Sequence, residues 1–281
     1  MTPTGNKLKI VGFTQARNER QNGNLENWLK CMDMICDYIY IHDNASDDNS
    51  REFYEANPKC VVTYDTENNF KRELICKSVL LKKLLTEHPE TEWIFWMDID
   101  TLLDSRLLHR RDLENFLECA TIADCDGIQL GHLNLWRSDV WYRIDSEYNY
   151  FDICGRIPFW RNNGKLVFQE IEGLHQNQEP LGIGKVMPLM DFKLIHRGFV
   201  TDEQIFNRYL MYKKNNELGI ITDPSKIGRL INEDGLDVKQ IKLSILPKHV
   251  KIVDISNPKN KIPLVELFHN YGIAETEREW K

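Results

Sequence analysis

Short apolar segments rich in β-forming residues alternate with helical segments along the first hundred residues. Apolar residues at helical spacing predict helices over residues 24–36 and 70–87. The segments that predict strands are residues 8–13, 38–42, 60–65 and 93–97. Strands that alternate with helices in this way form βαβ units around a largely parallel sheet. The sequence therefore predicts an α/β fold with a Rossmann-like opening.

The pattern changes after residue 104. Residues 127–200 are aromatic and strand-prone, and a helix is predicted from about residue 201. Residues 216–281 form a C-terminal extension with a less readable pattern and a predicted helical character. The first predicted strand is not followed by G-x-G-x-x-G, so the dinucleotide-binding fingerprint is absent from this position.

Composition narrows the class of protein. The 281 residues are 42% hydrophobic and 28% charged, which is typical of a globular protein, and the net charge of -7 argues against a nucleic-acid partner. We expect no transmembrane segment, because no apolar run approaches roughly 20 residues. The N-terminus lacks the pattern of a signal peptide, and the seven cysteines are scattered without C-x-x-C. Scattered cysteines are typical of reduced thiols, so we expect a cytoplasmic location.

Two carboxylates end the fourth predicted strand. The apolar run "WIFWM" is followed directly by Asp98 and Asp100, which are separated by one residue. In open α/β sheets, ligands bind at the carboxyl ends of the strands, and two acids there can both approach one hard cation. The alternative is a strand end with two solvated acids.

Three motifs in order resemble the nucleotide-sugar-binding half of GT-A glycosyltransferases, most closely those of family 2. The motifs are "QARNER" after the first strand, "YIYIHDNASDD" around the second, and "WIFWMDIDTLL" around the fourth. Downstream, "LIHRG" followed by "NRYLMYKK" resembles the "H-G" and the helix carrying "RY" or "KY" of bacterial family 2 sequences. The resemblance covers roughly residues 8–215.

This resemblance implies a GT-A fold with a mixed central sheet and a division of the chain. Residues 1–104 would form the nucleotide-sugar-binding half of a domain 1–215, residues 105–215 its acceptor half, and residues 216–281 an extension. It also implies Mn²⁺ or Mg²⁺ as cofactor. Such a cation neutralises a departing diphosphate as a Lewis acid. The residues that match the family's metal site are Asp98, Asp100 and His196.

Further residues match donor-binding positions of the family. Gln15 and Arg17 lie in the loop that holds the nucleoside, and Asp98 would also contact the ribose. Asp43 matches the acid that accepts a hydrogen bond from the base, and Arg72 matches a basic residue near the base or diphosphate. The alternatives are a turn-forming role for Asp43 and a solvated side chain for Arg72.

The acceptor side needs a general base if the enzyme inverts stereochemistry. The resemblance favours Glu172, which lies between the D-x-D and the last metal-binding segment, and leaves Asp145 and Glu179 as alternatives. The "-ED-" pair of many inverting members is absent. A set of aromatic residues could stack on a sugar or could belong to the core: Trp136, Trp141, Phe159 and Trp160.

The predicted function is transfer of a sugar from a nucleotide-sugar donor, UDP-linked in preference to GDP-linked, to a hydroxyl of a glycan or glycolipid. A glycolipid acceptor would require peripheral contact with a membrane. Two alternatives are a nucleotidyltransferase of related fold and a non-catalytic protein that binds sugars or nucleotides. A phosphatase of the haloacid dehalogenase type also has a D-x-D, but its motif wants Thr or Val where this chain has Leu102.

Overall fold

A computed structural model describes residues 8–145, 148, 152–173, 179–219, 225–252 and 257–270. The strands are β1 Ile10–Ala16, β2 Tyr38–Asp43, β3 Cys60–Tyr64, β4 Trp93–Trp96, β5 Thr101–Leu103, β6 Gly127–Asn134, β7 Trp141–Arg143, β8 Arg156–Arg161, β9 Val186–His196 and β10 Val238–Gln240. The α-helices are α1 Leu25–Ile35, α2 Ser50–Ala56, α3 Glu73–Glu87, α4 Arg110–Ile122, α5 Asp202–Glu217, α6 Ser225–Ile231 and α7 Leu264–His269.

Eight strands form one mixed sheet in the order β3-β2-β1-β4-β8-β6-β9-β5. The pairs β3–β2, β2–β1 and β1–β4 are parallel, so the carboxyl ends of these strands meet at one edge. The pairs β4–β8, β8–β6 and β9–β5 are antiparallel, and β6 pairs with β9 in parallel. The predicted α/β fold with a Rossmann-like first half and a mixed central sheet is confirmed.

The predicted elements of the first hundred residues are all present, with small shifts at their ends. The helix predicted over 70–87 begins with a 3₁₀ turn, Phe70–Arg72, before α3. Two helices, α2 and α4, were not predicted. The turn-forming run "DNASDDNS" hides the start of α2, which follows Asn49 in the left-handed conformation with φ 63°.

The apolar face of α1 packs on β1 and fixes the first layer of the core. Its buried residues follow the predicted helical spacing: Leu25, Trp28, Leu29, Cys31, Met32 and Ile35. Gly12 permits the close approach, because a Cβ there would lie 2.5 Å from Met32 Cε. Phe159, Trp160 and Trp136 are also fully buried, which places them in the core, one of the two alternatives for the aromatic set.

The described part of residues 216–281 packs on the domain instead of standing apart from it. Helices α5, α6 and α7 share an apolar cluster that includes Tyr209, Ile227 and Phe268. Ile241 and Ile245 join the main core, and β10 pairs with β7. In the described part of the chain, no helix is long and apolar enough to cross a membrane. All seven cysteines are free thiols.

Candidate active site

A cleft of about 1290 Å³ opens at the carboxyl ends of β1, β2 and β4. The loop after β1, the connection between β4 and β5, the end of β9, and α5 all contribute to its lining. This position agrees with the general rule that α/β sheets bind ligands beyond the carboxyl ends of their strands.

The D-x-D lies on the connection between β4 and β5. A turn in which Thr101 N donates to Asp98 O over 3.0 Å reverses the chain after the apolar strand. Asp98 is exposed to the cleft, whereas Asp100 is buried and 7% exposed. The two carboxylates therefore differ in their surroundings although one residue separates them.

Strand pairing brings His196 to Asp100. The antiparallel register of β5 and β9 sets Thr101 opposite His196, and Arg197 N donates to Asp100 O over 2.6 Å. His196 Nε2 then lies 3.0 Å from Asp100 Oδ2. Arg208 Nη2 of α5 donates to the same Oδ2 over 2.5 Å. One carboxylate oxygen thus has two cationic or potentially cationic partners.

These charges separate the pKa values of the two acids. Burial alone would raise the pKa of Asp100, but the charges of His196 and Arg208 outweigh it and hold that pKa well below its ordinary value. Desolvation at the floor of the cleft and the negative charge of Asp100 raise the pKa of Asp98 to about 6. Within the D-x-D, Asp100 is therefore held in its charged form, whereas the pKa of Asp98 is shifted upward.

The geometry of Asp100 and His196 fits a divalent cation. Two ligands at neighbouring positions of an octahedral Mg²⁺, each bound at about 2.0–2.1 Å, lie about 3 Å apart. The observed separation of Asp100 Oδ2 and His196 Nε2 is 3.0 Å. Asp98 lines the same cleft, but in the described part of the chain Asp98, Asp100 and His196 do not bring three ligand atoms within 4.8 Å of one another. Carboxylate oxygens are suitable donors for Mg²⁺ and Mn²⁺.

A second group of potential ligands lies at the other end of the cleft. His42, Asp65 and Cys76 place potential ligand atoms within 4.8 Å of one another. Among the described residues, no other group of three His, Cys, Asp or Glu side chains meets this distance. Both His42 nitrogens already have partners, Thr63 Oγ1 at 2.9 Å and Asp65 Oδ2 at 3.1 Å. Burial and the Asp65 charge raise the pKa of the Cys76 thiol, which disfavours the thiolate a metal requires.

The predicted donor-binding residues divide into two groups. Gln15 and Arg17 line the cleft: Gln15 Nε2 donates to Glu73 O over 2.8 Å, and Arg17 Nη1 donates to Asn44 O over 2.6 Å. Asp43 and Arg72 are not among the lining residues. Asp43 is buried and its Oδ1 accepts from Ser46 N over 2.8 Å, the contact of a turn-forming acid. Arg72 is exposed, and Lys71 lines the cleft beside it.

None of the three predicted bases lines the cleft. Asp145 accepts two hydrogen bonds, at 2.9 and 2.6 Å, from Arg143. Arg143 is the last residue of β7, which forms a two-stranded sheet with β10. Glu179 lies 4.0 Å from Arg156 Nη1. Glu172 is exposed, and the N–H of Gly173 after it donates to Lys71 O over 2.7 Å.

Two charged residues of the cleft were assigned no role from the sequence. Glu19 lies in the motif "QARNER", and its Oε2 accepts from Asn24 Nδ2 over 3.0 Å. Desolvation and the charge of Asp100 raise the pKa of Glu19 to about 7. Arg208 lies in "NRYLMYKK". Both motifs were recognised, but only the folded chain places these side chains beside Asp100.

Residues 10–117 match the model of the galactosyl transferase GMA12/MNN10 family. The match covers less than half of the chain, so it is a similarity over this segment. The description of that family agrees with the predicted class of enzyme, a glycosyltransferase, and the matched residues include the D-x-D. The likeness to family 2 is not tested by this match. No curated protein matches the chain.

Solved structures with a similar arrangement include two of S. aureus TarS 1–349. The complex with UDP-GlcNAc is 12% identical with a TM-score of 0.47, and the alignment covers 80% of this chain and 64% of that one. The complex with UDP is 14% identical with a TM-score of 0.43, covering 70% and 63%. The alignments cover less than two thirds of the length of those solved chains.

Proposed function

We propose that this glycosyltransferase moves a hexose from a uridine diphosphate donor to a hydroxyl of a glycan or glycolipid, with Mn²⁺ or Mg²⁺ as cofactor. The observation that carries the proposal is the contact between Asp100 and His196, 3.0 Å apart at the cleft floor. The family whose model matches is described as galactosyl transferases, so galactose is the first sugar to test.

The residues of the cleft have distinct proposed roles. Asp98, Asp100 and His196 would hold the cation, which when bound supplies Lewis-acid stabilisation of the leaving diphosphate. Gln15 and Arg17 position the loop after β1 through their hydrogen bonds to the backbone. Asn44 and Asn68, joined by a 3.1 Å hydrogen bond in the cleft, are placed to contact the base in place of Asp43.

A nucleoside diphosphate should stabilise the protein much more strongly with Mn²⁺ or Mg²⁺ present than without it. Without a divalent cation, Arg208 stays paired with Asp100, and the carboxylate of Asp98 in the same cleft opposes the phosphates. At a ligand concentration 100 times Kd, binding adds about 2.7 kcal/mol to the free energy of unfolding. A thermal-shift panel of UDP, GDP, CMP and dTDP species, with and without metal, measures this difference.

UDP should give the largest shift in this panel. Equal shifts with and without metal for every nucleotide would contradict the metal-dependent part of the proposal. Stabilisation by UDP-sugars, without release of UDP in the presence of any acceptor tested, would favour a non-catalytic binding protein instead.

Among the carboxylates of the cleft, Glu19 is the one we propose as general base, in place of Glu172. Its pKa of about 7 suits proton abstraction near neutral pH, and it lies inside the cleft. Glu172, exposed and outside the lining, meets neither condition.

Glu19→Gln should lower sugar transfer by about 100-fold or more while UDP binding survives, since general-base catalysis contributes about 10²–10⁴-fold. A general base must be deprotonated, so the rate of transfer by wild type should fall as the pH drops through the pKa of Glu19. Glu19→Gln should remove this fall from the acidic limb of the pH–rate profile. A cation bound at Asp100 would lower the pKa of Glu19 again, because its positive charge favours the carboxylate. The acidic limb of the profile should therefore lie at or below pH 7. Initial rates across pH measure both effects.

Glu172→Gln is the matched comparison, and it should transfer at a rate close to wild type. Loss of transfer in Glu172→Gln with retention in Glu19→Gln would return the base to Glu172. Retention in both variants would favour a retaining mechanism without a protein base.

We also propose a site of contact for the acceptor and a cellular location. A glycolipid acceptor would bring the cleft to a membrane surface through peripheral contact. The seven free thiols support the cytoplasmic location that the cysteine pattern predicts.

A further inference from the structure

Arg208 occupies the carboxylate that the proposed cation needs. It projects from α5 into the cleft, and its Nη2 donates to Asp100 Oδ2 over 2.5 Å. His196 Nε2 contacts the same oxygen at 3.0 Å, whereas Asp98 is exposed to the cleft. In the ligand-free protein, a guanidinium therefore neutralises Asp100.

The surroundings of Arg208 are shaped for this contact. A Cβ at Gly198 would lie 2.6 Å from Arg208 Nη2 and 2.8 Å from His196 Nε2, so a larger residue there would require these side chains to shift. The Phe199 ring lies 5.1 Å from Arg208 Cζ, within the range of a cation–π contact. Burial of the guanidinium is offset by Asp100, which helps raise the pKa of Arg208 above its ordinary value.

A guanidinium and a divalent cation compete for Asp100 Oδ2. Both are positive, both use the lone pairs of the same oxygen, and their mutual repulsion disfavours joint occupancy. Displacement from Asp100 leaves Arg208 inside the cleft with a planar set of donors. Such a fork binds the oxygens of a diphosphate with parallel hydrogen bonds.

We propose that Arg208 exchanges partners when the donor binds. It neutralises Asp100 in the ligand-free protein, and it neutralises the donor's diphosphate once a divalent cation has replaced it at Asp100. This inference rests on the proposed function, because it requires both the cation at Asp100 and a diphosphate in the cleft. It makes Arg208 a donor-binding residue and a competitor of the cation.

The exchange predicts opposite effects of one substitution on two ligands. Arg208→Gln should bind Mn²⁺ alone about 10-fold more tightly, and UDP at saturating Mn²⁺ about 10-fold more weakly, the usual weight of a hydrogen bond to a charged group. A purely structural role for Arg208 would weaken both ligands together. Titration calorimetry of the full chain, first with Mn²⁺ and then with UDP, measures both affinities.

Two further variants frame the experiment. Arg208→Lys keeps the charge but not the fork, so its UDP affinity should lie between those of wild type and Arg208→Gln. Arg51→Gln removes an exposed arginine paired with Glu55 outside the cleft lining, and it should match wild type for both ligands. Thermal unfolding of each variant checks that the chain is folded.

Each arm can overturn a different statement. Unchanged or weaker Mn²⁺ binding by both Arg208 variants would contradict competition at Asp100. Unchanged UDP affinity in Arg208→Gln would contradict the contact with the diphosphate. A further outcome is that wild type and all variants fail to bind UDP while Arg208→Gln binds Mn²⁺ more tightly. That result would contradict the proposed function and the contact with the diphosphate. It would leave the competition between Arg208 and the cation supported.

Discussion

Asp100→Asn should lower both donor hydrolysis and sugar transfer by about 100-fold or more, the usual cost of losing one electrostatic stabiliser of a transition state. The substitution keeps the shape of the side chain but removes the charge that His196 and Arg208 contact at 3.0 and 2.5 Å. Both reactions expel the same diphosphate, so both should fall together. Initial rates of UDP release, with and without acceptor, measure the two reactions.

The matched control is Asp112→Asn. Asp112 pairs with His109 on the exposed face of α4, outside the residues that line the cleft. It undergoes the same chemical change, and its rates should stay near those of wild type. Near-normal transfer by Asp100→Asn, with a folded protein, would remove Asp100 from the catalytic site.

Asp139→Ala should lower the free energy of unfolding by about 3–5 kcal/mol, the cost of leaving one partner of a buried ion pair uncompensated. Arg197 Nε donates to Asp139 Oδ1 over 2.9 Å, and their side chains are 7% and 0% exposed. Arg197 lies between His196 and Gly198, so the loss should also displace His196, the histidine that we propose as a metal ligand. Urea unfolding with linear extrapolation measures the change.

A double variant tests whether the loss of stability comes from leaving the charge of Arg197 unpaired. Asp139→Ala with Arg197→Met removes both charges, and it should be less destabilised than Asp139→Ala because no buried charge is left unpaired. Asp237→Ala is the surface control: its partner Lys259 is 45% exposed, and little change in stability is expected. A small effect of Asp139→Ala would mean that solvent reaches Arg197 once its partner is gone.

Local patterns in the sequence were sufficient for the first half of the fold. Apolar residues at period 3.6 in α1 and the β-rich runs of β1, β2, β3 and β4 determine which segments become helix and strand. The parallel arrangement follows from their alternation, because a crossover helix must separate parallel strands. The position of Asp98 and Asp100 at a ligand-binding edge follows from the same reasoning.

The tertiary structure decides which acidic and basic side chains lie together in the cleft. His196 contacts Asp100 only because β5 and β9 pair in a particular register, and Arg208 reaches it only because α5 packs across the cleft. Neither pairing has a local signal, since the residues lie 96 and 108 positions from Asp100.

The same distinction explains the residues whose predicted roles differ from their positions. Asp43 is the last residue of β2, at the edge where the cleft lies, but its side chain is buried and accepts a hydrogen bond from Ser46 N. Asp145, a predicted alternative for the base, accepts hydrogen bonds from Arg143 of β7 instead of lining the cleft. Sequence determined the elements and the edge where ligands bind. Side-chain direction, burial and pKa depend on long-range packing, and only the tertiary structure could decide them.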